Sequence, residues 1–139
     1  MEQPHMEQPH TEHPFLEGEG VWTALGRYAG EDGQAHPASG RSRMIHGAGV
    51  WFLHSTLTVE DIDHTGGARE YVNRYEIVPL SAARGHTRWS CHNPSLGHLR
   101  GEYSLVGDTI FSTFVNESTR VRGVEFFLLI PDTGYVNRG

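Results

Sequence analysis

From Phe15 onward the apolar residues recur with a period of two, and no long stretch carries helical spacing. That alternation constrains the chain to strands. It is clearest in Val50–Val59, VWFLHSTLTV, a run rich in the β-branched and aromatic residues that suit a pleated surface. In EGEGVWTALGRY, Trp22, Ala24, Gly26 and Tyr28 share one face of a first strand, and Val21, Thr23, Leu25 and Arg27 share the other. Further strands are predicted at Ser39–His46, Glu70–Val78, His86–His92, His98–Val106, Thr109–Val115, Val121–Ile130 and Gly134–Arg138. Turn residues separate them: Glu31-Asp32-Gly33, Gly47 to Gly49, Gly107-Asp108, Asn116-Glu117-Ser118 and Pro131 to Gly134. Pro79 to Gly85, PLSAARG, has room for one helical turn at most. The reading is all-β, with mainly sequential antiparallel neighbours.

Several strands carry apolar residues on both faces. Phe126, Leu128 and Ile130 oppose Phe127 and Leu129, and Trp51 and Leu53 oppose Val50 and Phe52. A small half-wet sheet has no use for this. An up-and-down barrel of about eight to ten strands does, because closure removes the edges and leaves room for one small ligand. Apolar residues on the outer face then predict a homodimer interface, or a seat for the N-terminal tail.

A chain of 139 residues can bury a real core as one domain, here expected over residues 15–139. Met1 to Pro14 reads MEQPH MEQPH TEHP, proline-rich and without apolar periodicity, so a disordered repeat tail is expected there. A net charge of −6 argues against nucleic acid or an anionic membrane as main partner. There is no spanning apolar run and no basic start followed by an apolar segment, so a soluble cytoplasmic protein is expected. The single cysteine, Cys91, permits no internal disulfide, and on a strand it points away from its neighbour His92. A small buried apolar role is expected for it.

Gly20-Val21-Trp22 at the start of the first strand resembles the Gly-x-Trp signature of the calycin superfamily, the lipocalins and fatty-acid-binding proteins with their bacterial relatives. The resemblance implies a lipocalin-like barrel in which Trp22 plugs one end. It also implies that an arginine of the last strand stacks on that indole, Arg138 by position and Arg122 as second choice. The chain departs from the family in lacking a terminal helix, a helical lid after the first strand and an arginine-x-tyrosine clamp.

The histidines form no His-x-His pair and no HExxH helix, so no metal is expected. Relatives of this architecture hold haem through one barrel histidine, and His54, flanked by Phe52 and Thr56, is the candidate for that alternative. No nucleophile motif is present. Glu125 interrupts VEFFLLI, and a carboxyl facing into an apolar interior would have a raised pKa. Arg74 with Glu76, and Arg100 with Glu102, read as outer-face ion pairs. Phe52, His54, Tyr75, Trp89 and Tyr103 are expected to line a small-molecule pocket. Inward small residues (Ala24, Gly26, Gly101, Ser112) are expected to leave it hollow. The expected function is binding of one apolar or aromatic small molecule, without a cofactor. The alternative is a cofactor-independent isomerase, cyclase or lyase using His54, Tyr103 or Glu125 for proton transfer.

Overall fold

The computed structural model describes residues 12–80 and 85–139. Most of the expected tail (residues 1–11) and the centre of PLSAARG (residues 81–84) lie outside the described residues. Nine strands follow one short helical turn, α1 (Pro14–Glu17): β1 (Gly20–Ala29), β2 (Ala35–His46), β3 (Trp51–Glu60), β4 (Ala68–Ile77), β5 (His86–Asn93), β6 (Gly97–Val106), β7 (Thr109–Asn116), β8 (Arg122–Ile130) and β9 (Gly134–Arg138). They form one antiparallel sheet in strict sequence order, β1 to β9. No described helix is long and apolar enough to cross a membrane.

The sheet curls into an up-and-down half-barrel, and β9 makes no ladder with β1. The expected closure is therefore incomplete, and β1 and β9 are the edge strands that flank a seam. Side chains bridge the seam at its base, where Trp22 of β1 meets Tyr135 of β9 edge-on at 5.5 Å. Early in the sequence of pairings the ladders run the full strand length, ten pairs for β1 on β2 and again for β3 on β4. Between β4 and β5 only Arg74 to Ile77 pair with Trp89 to His92. The first half of β4 splays away there, and an amide bridge spans the gap, Asn93 donating to Asn73 Oδ1 at 2.6 Å.

Cross-strand partners point to the same face of a sheet. The register therefore fixes the inner face from the buried residues Met44, Leu53, Ile77, Trp89, Cys91, Leu99, Tyr103 and Ile110. In one inner row Ile77, Trp89, Gly101, Phe114 and Gly123 face one another in turn on β4 to β8, ring and glycine alternating from Trp89 on. The Trp89 ring lies on Gly101 and the Phe114 ring on Gly123, so that a Cβ at either glycine would fall inside the ring. Rings over glycines fill this half of the barrel.

The base of the barrel is plugged from the N-terminal side. Phe15 and Leu16 of α1 are buried, and Phe15 stacks on Phe127 at 5.1 Å. His13, expected in the tail, is wholly buried. Its Nε2–H donates to the Gly107 carbonyl at 2.8 Å, which leaves Nδ1 to accept from the Tyr135 hydroxyl at 3.1 Å. His46 stacks on Trp51 at 3.9 Å and donates from Nε2 to the Leu16 carbonyl at 2.9 Å. The alternating pattern from Phe15 thus begins as a turn of helix, and β1 starts at Gly20.

Candidate functional site

A cavity of about 1000 Å³ opens along the seam between β1 and β9. Its near wall is built from the inward residues Trp22, Ala24 and Tyr28 of β1 and Ala38, Gly40 and Ser42 of β2. Trp22, Phe15, Phe127 and Tyr135 form its floor, and Tyr75, Tyr103 and Glu125 its far wall. The small side chains of Ala24, Ala38 and Gly40 hold it open, and a Cβ on Gly26 would meet nothing within 4 Å. The expected hollow thus exists at Ala24, and Gly26 lies exposed to open space on the same face of the edge strand. At Gly101 the hollow does not exist, because a neighbouring strand's indole occupies the space, and Ser112 is buried within the wall.

Glu125 is the one acidic side chain among the described residues that line this cavity. Antiparallel pairing places it in a cross-strand row with Ser112 and Tyr103. Burial pushes its pKa above the ordinary carboxylate range, and a hydrogen bond from the Asn137 amide partly offsets this. No ion pair reaches it among the described residues. Burial likewise raises the Tyr103 and Tyr75 hydroxyls well above the usual phenol range, and the Glu125 charge adds to both shifts. The two hydroxyls are therefore neutral groups that can donate or accept. Cys91, buried behind Tyr75, is pushed up to about 11 by desolvation, which leaves it a thiol.

The sequence-derived site residues divide between the two faces. Tyr75, Tyr103 and Glu125 converge on the cavity. Trp89 is buried among Tyr75, Tyr103 and Phe114 at 5.0, 5.9 and 6.2 Å, a ring in the filled half rather than part of the lining. Phe52 and His54 have the opposite parity to the buried Leu53 and lie on the outer face. His54 stands there exposed between Arg43 and Arg74 in register, out of reach of the cavity. Among the described residues neither it nor any other histidine lines the cavity. On the same outer face Arg100 pairs with Glu117 at 2.5 Å and Arg88 with Glu102 at 3.6 Å. The expected partners Arg74 with Glu76 and Arg100 with Glu102 are not ion-paired among the described residues.

Trp22 does sit at the barrel base, half-buried, but its ring neighbours are Phe15 and Tyr135 at 5.9 and 5.5 Å. The position of a stacking arginine is thus filled by aromatic rings. Arg138 faces the exposed Phe126 across the ladder, and Arg122 is exposed at the start of β8. Arg27 and Arg138 stand at the seam from outward positions of the two edge strands. Among the described residues no group of three or more His, Cys, Asp or Glu side chains is arranged to hold a metal ion.

Three residues that organise this site escaped the sequence: His13, His46 and Asn137. The spacing offers no signal for His13, whose partner Tyr135 is 122 positions away. Asn137 has one: it alternates with Tyr135 on a strand whose partner face carries Phe127. The chain matches no protein-family model, no curated protein and no solved structure.

Proposed function

We propose that this protein binds one small apolar or aromatic molecule in the seam-side cavity of a calycin-like barrel. The observation that carries this is the division of the interior. Rings on glycines fill the inner row of Trp89, Gly101, Phe114 and Gly123, while Ala24, Ala38 and Gly40 leave a hollow in front of Phe15, Trp22, Tyr75 and Tyr103. A hollow lined by rings, with a few polar groups converging on it, has the make-up of a ligand pocket. Trp22 at the base of the first strand agrees with the calycin build, and the absent arginine stack departs from it.

A second reading is supported by Glu125. A desolvated carboxyl near two neutral phenols is equipped for proton transfer to or from a bound molecule. Of the three groups considered for this role, Tyr103 and Glu125 face the cavity, and His54 faces away.

Titration with the uncharged environment-sensitive dye Nile red tests the binding reading. The wild-type protein is expected to bind one dye molecule with enhanced emission. Gly26→Trp, which fills the hollow from a position with open space, is expected to abolish it. Equal dye binding by both proteins would refute the location, and no binding by the wild type would refute the reading.

A further inference from the structure

Resting on the binding reading, we infer that the cavity selects a cationic ligand: a primary or secondary amine on an apolar or aromatic body, with its ammonium on Glu125. The charges of the interior point this way. Glu125 is the one acidic side chain among the described lining residues, and no described residue forms an ion pair with it. The two arginines that line the cavity, Arg27 and Arg138, do so at the seam from outward positions of the edge strands, and His46 donates to the Leu16 carbonyl.

A half-buried carboxyl without a counter-charge is costly in a folded protein and calls for a partner. The Asn137 amide supplies one donor, but a carboxylate has room for several. Its remaining oxygen capacity faces a cavity large enough for an organic molecule. An ammonium there would donate to Glu125 and could also donate to the Tyr75 and Tyr103 hydroxyl oxygens. The rings of Trp22, Tyr75 and Tyr103 add the faces that favour a cation over a neutral isostere. An anionic head group placed beside Glu125, away from the arginines at the seam, would meet that carboxylate as a repulsion. The raised pKa of Glu125 fits this arrangement, since a bound cation would restore the ionised form that burial disfavours.

The test is displacement of the bound dye, at neutral pH, by 4-phenylbutylamine, 4-phenylbutanol and 4-phenylbutyrate, which differ only in the head group. In the wild type the amine is expected to compete at concentrations about tenfold or more below the alcohol, the worth of a charge-assisted hydrogen bond. The carboxylate is expected to be the weakest of the three. Glu125→Gln should bring amine and alcohol together, and Glu125→Asp should keep the amine ahead. If the dye binds but the alcohol competes as well as the amine, the inference fails and the binding reading stands. It fails equally if the amine keeps its lead in a folded Glu125→Gln protein. If neither dye nor amine binds, both are overturned.

Discussion

Alanine in place of Gly101 or Gly26 probes the filled and hollow halves of the barrel with the same added methyl. At Gly101 the new Cβ would fall inside the Trp89 indole and against the Thr113 carbonyl oxygen. The indole can tilt, but the carbonyl belongs to the β6–β7 ladder and cannot give way without breaking register. Overpacking of this kind costs ~1–3 kcal/mol, and a backbone clash places Gly101→Ala in the upper part of that range. At Gly26 the Cβ meets nothing within 4 Å and φ is not in the left-handed region, so alanine fits without strain. There the loss of glycine's freedom in the unfolded chain should stabilise by ~0.4–1 kcal/mol. The two variants should therefore differ by ~2–4 kcal/mol in opposite directions from wild type. Urea unfolding reads this as a midpoint shift with unchanged slope. Tryptophan emission should shift for Gly101→Ala alone. Equal stabilities, or an unmoved Trp89 in a destabilised Gly101→Ala, would refute the division of the interior.

Glu125→Gln should stabilise the unliganded protein at neutral pH. A carboxyl whose folded pKa is raised favours the fold most below its unfolded pKa and loses that contribution as pH rises through the folded value. The advantage of the glutamine variant should therefore vanish as pH falls below the ordinary carboxylate range, measured by urea midpoints across pH. Asp32 carries the opposite sign, its pKa lowered by the Gln34 amide and by His36 and His64, so Asp32→Asn should lose stability above that range. Phe15→Ala should cost ~3 kcal/mol, the low end for a buried ring because the open cavity lets neighbours relax, read from the urea midpoint. His54→Glu, set between Arg43 and Arg74, should stabilise by ~0.2–1 kcal/mol through cross-strand charge pairs. Molar salt should erase that gain in thermal unfolding.

The strands were legible because period-two patterning and turn residues are local. All nine expected strands are present, with ends displaced by a few residues at most sites. What period two does not reveal is which face of a two-sided apolar strand looks inward. On β3 the sequence leaves Phe52 and His54 equivalent to Leu53, and the partners Met44 and Tyr75 across two ladders settle it for Leu53. Small residues mislead for a related reason. Gly26 is empty because it lies exposed on the edge strand with only Ala38 across the ladder, whereas Gly101 is covered by an indole from the next strand. Glu125 was legible as an interruption in VEFFLLI, since one charge in an apolar run has to face something. His13 was not, because a repeat-like HTEHP gives no hint of a partner on β9.

Native mass spectrometry of the freshly purified protein tests the central claim of a ligand-holding cavity most directly. The account predicts a non-covalent adduct of one small molecule on the wild-type chain, lost on gentle activation and absent from Gly26→Trp. A bare polypeptide mass for the wild type, together with no adduct after incubation with 4-phenylbutylamine or with the dye, would contradict it.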